Sequence, residues 1–316
     1  MNNLKIIFVN WTKPFFHKQQ FTGYKKNISV VNNVEEYYLL DYEIVMQVAS
    51  ITSAKRYSSA PVKLYTDDCG LEYYTRIGLI DLFDEVDTDL LNGLNNDDSI
   101  NPAQFWTSGK IISICNEKPP FIFMDLDLIL KNHIPEWFKR YDVIHTHWEM
   151  CRGPLFINHW QLQEYNLDIP NFNERMLIPN TSFLYVNDQK VLDKYLDLHL
   201  KIVKQKYDKV PDWLWLMSDQ HILGYVLREL NTNVADIQNE IYIQFCDEYH
   251  DEGKVGHVPK WIPLGSVKKQ DPQLPYEHVW LDKAHIINNP DHKVTKIMEW
   301  KKIAIENGYG RYVSQY

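Results

Sequence analysis

The chain has 316 residues, of which 45% are hydrophobic and 24% are charged. This balance is typical of a folded globular protein and excludes a disordered or fibrous chain. The formal net charge is -9, which argues against general attraction to nucleic acid or anionic lipid, since both depend on clustered Lys and Arg. An anionic ligand would need a local positive charge, and a bound cation is the simplest source of one.

The N-terminal part of the chain alternates predicted strands and helices. Residues 4–9 are aliphatic and predict a buried strand, apolar residues at helical spacing over 34–48 predict a helix, and residues 61–65 predict a second strand. This order is a β-α-β start. The residues that follow the two strands are Asn10, Trp11 and Thr12, and then Thr66 and Asp67.

The middle of the chain contains the most apolar predicted strand. Residues 105–115 predict a helix, and residues 121–124 are all apolar after the breaker pair Pro119-Pro120, so they predict a central strand buried on both faces. Further strands are predicted at 142–148 and 182–186, and further helices at 188–204, 218–230 and 293–306. The alternation predicts an α/β fold.

The predicted central strand ends in Asp125-Leu126-Asp127. A strand of an open α/β sheet presents its carboxyl end to the ligand-binding edge. Residues i and i+2 share a face in an extended chain, so both carboxylates can reach one cation. Carboxylate oxygen is the ligand that magnesium and manganese prefer. A pair of acids in a turn is the alternative, but apolar neighbours on both sides predict burial, and buried acids without a partner are costly.

The segment 121–130, Phe-Ile-Phe-Met-Asp-Leu-Asp-Leu-Ile-Leu, resembles the DxD strand of GT-A-fold glycosyltransferases, especially retaining glycogenin-like and capsular-polysaccharide transferases. The resemblance implies one GT-A-like, Rossmann-related domain with a mixed, mainly parallel central sheet flanked by helices. Residues 1–130 would form its nucleotide-binding half and residues 131–316 its sugar- and acceptor-binding half. It further implies a nucleotide-sugar donor, with a UDP-sugar expected, and Mn²⁺ or Mg²⁺ held by Asp125 and Asp127.

The same resemblance implies roles for residues outside the DxD strand. Lys110, on the helix before that strand, would contact the diphosphate or ribose. Asp219 and Gln220 resemble the acid-amide pair that lies near the reacting carbon. The predicted nucleoside contacts are the residues after the first two strands: Asn10, Trp11, Thr12, Thr66 and Asp67.

These families also place a third metal ligand late in the chain, a His within HxxGxxK. Here His285 is followed by Lys293, but the Gly is missing and the Lys is displaced. We therefore predict His285 as the third ligand, with His292 as the alternative, and Lys293 as a phosphate contact.

The expected reaction follows from the charge that develops when the sugar-phosphate bond breaks. The cation would stabilise the nucleoside diphosphate that leaves. An inverting enzyme needs a carboxylate or His to take the proton of the acceptor hydroxyl, whereas in a retaining one the departing phosphate can take it. The resemblance favours retention, with Asp219 stabilising an oxocarbenium ion or binding sugar hydroxyls. The acceptor would be a glycan or another hydroxyl compound.

The cysteine pattern and the hydropathy bear on location. Four widely spaced cysteines without a CxxC pair predict neither a zinc knuckle nor a disulfide framework. Residues 1–10 are too short an apolar run for a signal peptide, and no run is long enough to span a bilayer. We therefore expect a cytoplasmic protein, free or peripheral to a membrane.

Two other functions compete with glycosyl transfer. A phosphatase of the haloacid dehalogenase type also ends an apolar strand in DxD and would use Asp125 as a nucleophile, but Ile129 replaces its usual Thr or Val and its motif normally lies near the chain start. A non-catalytic carbohydrate-binding protein would bind sugar or nucleotide without need of the cation. His145 and His147 form an HxH pair, which is more often structural than a metal site.

Overall fold

The computed structural model describes residues 4–17, 36–151, 159–167, 169, 172, 177–207, 214, 217–237, 241–244, 275–279 and 283–316. The chain divides into two compact units. Unit 1 comprises Met1–Asp98, Pro120–Glu136 and Leu274–Tyr316, and unit 2 comprises Ser99–Pro119 and Trp137–Gln273. The predicted division of a single domain into halves 1–130 and 131–316 stays a prediction.

Helices and strands are numbered along the chain. In unit 1 the strands are β1 (Lys5–Asn10), β2 (Val62–Thr66), β3 (Glu85–Asp87), β4 (Phe121–Met124), β5 (Leu128–Leu130) and β12 (Tyr276–His278), and the helices are α1 (Lys13–His17), α2 (Asp41–Ser58), α3 (Asp68–Arg76), α4 (Asp89–Asn95), α9 (Lys283–Asn288) and α10 (Pro290–Glu306). In unit 2 the strands are β6 (Val143–His145), β7 (Trp148–Cys151), β8 (Ile178–Pro179), β9 (Phe183–Val186), β10 (Val234–Asp236) and β11 (Ile241–Gln244), and the helices are α5 (Ser108–Asn116), α6 (His159–Glu164), α7 (Gln189–Val203) and α8 (Ile222–Glu229).

Unit 1 is built on four parallel strands in the order β4-β1-β2-β3. The side chains of Ile6, Ile7 and Phe8 in β1 have no solvent exposure, as expected for a parallel strand covered on both faces. Asn10 at the end of β1 lies in register with Thr66 at the end of β2. A separate antiparallel pair joins β5 to β12.

Helix α2 begins later than the apolar pattern predicts. The backbone N–H of Leu40 donates to the Glu43 carboxylate at 2.9 Å, which is half of a capping box and fixes the helix start at Asp41. Helix α10 packs against α2. This contact is extended by Arg56, whose Nη1 donates to Asn307 Oδ1 at 2.7 Å.

Unit 2 contains two groups of strands. Strand β6 pairs with β10 in parallel and with β9 antiparallel, and β7 pairs with β11 in parallel and with β8 antiparallel. The prediction of one strand over 142–148 is wrong, because the chain changes partner between β6 and β7. Between β6 and β7, the backbone N–H of Asn180 donates to His147 O at 2.9 Å, and Asn180 O accepts from Thr146 Oγ1 at 2.9 Å.

The predicted α/β class, with mixed, mainly parallel strand pairing and flanking helices, is confirmed. Among the described residues, no helix combines the length and the hydrophobicity that a bilayer crossing requires.

Candidate metal centre and associated polar clusters

The Asp125-Leu126-Asp127 segment lies in a tight turn between β4 and β5. The backbone N–H of Leu128 donates to Asp125 O at 3.1 Å, so the two aspartates are brought together by a chain reversal and not by an extended strand. Ser50 of α2 fastens this turn, because its Oγ donates to Leu128 O at 2.6 Å. The turn therefore has a fixed backbone directly after the buried strand β4.

Strand β12 brings His278 to the same turn. Its antiparallel register places His278 opposite Leu128, and the next residue, Val279, donates its N–H to Asp127 O at 3.0 Å. Asp125, Asp127 and His278 each offer one ligand atom, and these atoms all lie within 4.8 Å of one another. Two carboxylate oxygens and one imidazole nitrogen form a donor set that suits Mn²⁺ and is compatible with Mg²⁺.

The charge of Asp127 is stabilised within this cluster. The residue is only 7% exposed, and burial alone would raise its pKa. Lys283 Nζ lies 2.5 Å from Oδ2, and His278 Nε2 lies 3.6 Å from Oδ1. These neighbours outweigh burial and hold the pKa of the Asp127 carboxyl below its usual range, so the carboxylate is ionised and ready to bind a cation.

Among the described residues, the predicted third ligands His285 and His292 do not belong to the group of Asp125, Asp127 and His278. His285 is exposed on α9, and its ring lies 4.4 Å from the ring of His292. Lys293 Nζ lies 5.5 Å from the centre of the Tyr42 ring. Within the described part of the chain, the histidine that joins both aspartates is His278, and the roles of His285, His292 and Lys293 stay predictions.

The predicted nucleoside contacts of β1 and β2 lie together at one end of the parallel strands. Thr66 Oγ1 donates to Asn10 O at 2.8 Å, and Tyr37 donates its hydroxyl to Asn10 Oδ1 at 3.0 Å. The Asn10 Nδ2 is buried and has no hydrogen-bond partner among the described residues. Trp11 Nε1 donates to Asn95 Oδ1 at 2.6 Å. This edge therefore presents one unsatisfied donor, which suits a ligand oxygen.

Asp67 has structural contacts at the same edge. Its carboxylate accepts from Thr12 N at 3.1 Å and Thr12 Oγ1 at 2.8 Å, and it also accepts from Asn95 Nδ2 at 3.1 Å. The same side chain caps α3 by accepting from Gly70 N at 3.0 Å. Both carboxylate oxygens are used in these bonds, so this residue anchors the edge in the described structure.

Unit 2 links two residues that were predicted separately. Lys110 Nζ donates to Thr181 Oγ1 at 2.9 Å, and Thr181 Oγ1 lies 3.4 Å from Asp219 Oδ1. Tyr195 also donates its hydroxyl to Asp219 Oδ1, at 2.9 Å. Gln220 is buried beside Asp219 in the wide helical turn Met217–His221, and its Oε1 has no hydrogen-bond partner in the described structure.

A second buried network of unit 2 contains the HxH pair. His145 Nδ1 donates to His147 O at 3.0 Å, and His147 Nε2 lies 3.1 Å from Glu149 Oε1. Asn180 Nδ2 donates to the same Glu149 oxygen at 2.7 Å. Burial, with a smaller contribution from His147, lowers the pKa of His145 to about 3, so its imidazole is neutral. The pair is a hydrogen-bonded element, which agrees with the structural interpretation.

Known proteins resemble this chain in structure but not in sequence. No protein-family model and no curated protein matches the sequence of this chain. A galactosyltransferase, LgtC, in complex with donor and acceptor sugar analogs, is 8% identical with a TM-score of 0.41, covering 96% of this chain and 95% of that chain. Mouse xyloside xylosyltransferase 1 is 13% identical with a TM-score of 0.39, covering 87% and 96%. A nucleoside-diphosphate-sugar pyrophosphorylase from Vibrio cholerae is 11% identical with a TM-score of 0.37, covering 76% and 92%. Similarities at these identities and TM-scores do not assign a function to this chain.

Proposed function

We propose that the chain is a metal-dependent glycosyltransferase that moves a sugar from a nucleotide-sugar donor, expected to be a UDP-sugar, to a glycan or other hydroxyl acceptor. The observation that carries this proposal is the group formed by Asp125, Asp127 and His278. A protein with a net charge of -9 needs a local cation to hold a diphosphate, and this group would provide it.

Asp125, Asp127 and His278 would hold Mn²⁺ or Mg²⁺. When bound, the cation would neutralise the charge that grows on the leaving diphosphate. The chain itself keeps the ligands in place: Ser50 fixes the backbone of the turn, and the β5–β12 pairing fixes His278. Such fixed ligands need little reorganisation when the substrate binds.

The nucleoside would bind at the ends of β1 and β2. Asn10 Nδ2 is the buried donor that a base or ribose oxygen would satisfy. Trp11 is half-buried next to it in sequence, and its indole offers a flat apolar surface to the base. Thr12, Thr66 and Asp67 support this edge through the bonds between them and Asn10.

The reacting sugar would be contacted by Asp219 and Gln220, and Lys110 would contact the phosphates or ribose of the donor. Asp219 already accepts bonds from Thr181 and Tyr195, which orient its carboxylate. A retaining reaction is proposed, in which the departing phosphate takes the proton of the acceptor hydroxyl and Asp219 stabilises positive charge on the sugar.

The direct test is calorimetric titration of a panel of nucleotide sugars with and without Mn²⁺, followed by donor hydrolysis and transfer assays. Parent protein and Asp127→Asn are compared, with Asp188→Asn as the matched control, because Asp188 caps α7 by accepting from Lys190 N and Asn caps helices equally well. Loss of Mn²⁺-dependent turnover in Asp127→Asn alone is expected. Turnover by Asp127→Asn equal to that of Asp188→Asn and the parent would refute the proposal, and so would an acid-stable phosphoenzyme on Asp125.

The same titration decides between the candidate imidazoles. His278→Ala should lose Mn²⁺ affinity, whereas His285→Ala and His292→Ala should keep it. The opposite pattern would return the third-ligand role to His285 or His292.

A further inference from the structure

A lysine side chain lies on the carboxylate that the proposed cation would use. Lys283 Nζ is 2.5 Å from Asp127 Oδ2, and the Lys283 side chain is 37% exposed. Asp127 has only 10% of its side chain exposed. An ammonium at this distance forms a charge-assisted contact with one oxygen of a largely buried acid.

The ammonium and a divalent cation would compete for the same charge. Asp127 Oδ1 faces His278 at 3.6 Å and Oδ2 faces Lys283, so both carboxylate oxygens have cationic or imidazole neighbours. A metal bound through Asp125, Asp127 and His278 would lie within a few ångströms of the ammonium, where like charges repel strongly in a partly dry site.

We propose that Lys283 is an internal counter-cation that occupies Asp127 before the metal binds and must leave when the divalent ion enters. This inference rests on the proposed function, because it assigns to Lys283 a part in the same metal centre. A buried carboxylate without a counter-charge is costly, so the lysine stabilises the metal-free protein and also weakens its affinity for the metal.

The departure of Lys283 requires only side-chain movement. Its ammonium sits on a flexible four-carbon stem that reorients without a change of backbone, and more than a third of the side chain already meets solvent. The binding-competent state is then the fraction of molecules in which Lys283 has left Asp127. If the lysine is seated about 90% of the time, the apparent dissociation constant for the metal is raised about tenfold.

The test is calorimetric titration of Mn²⁺ alone into the parent, Lys283→Met and Lys131→Met. Lys131 is the matched control, because it is a lysine with 49% of its side chain exposed whose ion pair, at 3.1 Å, is with Glu277, whereas the ion pairs of Asp127 are with His278 and Lys283. Lys283→Met should bind Mn²⁺ about tenfold more tightly than the parent. Lys131→Met should bind like the parent.

A second measurement uses the unmodified protein and does not depend on the folding of a variant. Reductive methylation of lysines, read by mass spectrometry with and without Mn²⁺, reports how accessible each ammonium is. Mn²⁺ should increase the labelling of Lys283 and leave that of Lys131 unchanged.

The outcomes separate this inference from the proposed function. Equal or weaker Mn²⁺ binding by Lys283→Met, or Lys283 labelling that Mn²⁺ does not increase, overturns the lysine's role while a parent that binds Mn²⁺ keeps the metal centre. Absence of Mn²⁺ binding in the parent and in Lys283→Met overturns both.

Discussion

Gly70 lies where the two predicted donor-binding strands end, and adding one methyl group to it should disturb that edge. A Cβ at Gly70 would overlap Thr66 Oγ1 and would lie 3.2 Å from Asn10 Nδ2 and from Thr12 Cγ2. The Thr66 hydroxyl has no solvent exposure and donates to Asn10 O at 2.8 Å. Gly70→Ala therefore forces Thr66 to rotate and break that bond.

The magnitude follows from these contacts. Leaving the buried hydroxyl unpaired costs about 1–3 kcal/mol, and overpacking costs about 1–3 kcal/mol more. The higher helix propensity of alanine relative to glycine offsets at most about 1 kcal/mol of this cost. The free energy of unfolding should thus fall by about 1–5 kcal/mol. In Gly93→Ala, the described residues place no atom within 4 Å of the added methyl apart from the neighbouring residues and backbone of the helix itself, so the same substitution should stabilise α4 by about 0.5–1 kcal/mol.

Urea unfolding followed by tryptophan fluorescence measures both variants. The double variant Thr66→Ala/Gly70→Ala removes the clashing hydroxyl, so it should be more stable than the sum of the single effects predicts, with a coupling of about 1–3 kcal/mol. The reasoning is refuted if Gly70→Ala is as stable as the parent, or if the two glycine variants shift in the same direction.

Two further predictions concern unit 2. Burial lowers the pKa of His145 to about 3 and that of His199 to about 4. In the unfolded chain both imidazoles take up a proton below about pH 6.5. The free energy of unfolding should therefore fall as the pH is lowered from about 6.5 to 4, by up to about 1.4 kcal/mol per pH unit for each His. Urea titrations across this range should show that the free energy of unfolding of the double variant His145→Gln/His199→Gln depends less on pH than that of the parent. An unchanged pH dependence would contradict the lowered pKa values. Thr181→Val removes the hydroxyl that connects Lys110 to Asp219 and should lower the transfer rate about 10–100-fold, which corresponds to the loss of a hydrogen bond to a charged group. Thr181→Ser retains the hydroxyl and should keep the rate. Equal rates in the two variants would exclude a role for this hydroxyl.

Local patterns of hydrophobicity predicted several elements well. The apolar run 121–124 became β4 with the same bounds, and residues 188–204 became α7, Gln189–Val203, with Asp188 as its cap. Such elements follow from neighbouring residues alone. Of the DxD pair, Asp127 is buried as its apolar neighbours predict, whereas Asp125 is half-buried and the pair lies in a turn and not on an extended strand.

Contacts between distant segments could not be predicted in the same way. His278 reaches Asp127 only because β12 pairs with β5, and a single sequence does not reveal the partner or register of a short strand. One signal was present: Lys283 follows His278 closely, with a spacing near that of His and Lys in the HxxGxxK pattern considered for His285. The anchoring contacts of Asp67 had a local signal too, since an Asp directly before a helix commonly caps it.

The pairing of β5 with β12 has a consequence for how this protein is made. Both aspartates leave the ribosome long before the imidazole that joins them, because His278 comes from the far end of unit 1 in sequence. A nascent chain of intermediate length therefore carries an incomplete chelating set. Tight capture of the proposed cation would have to wait until the late strand has been synthesised and has docked beside the turn.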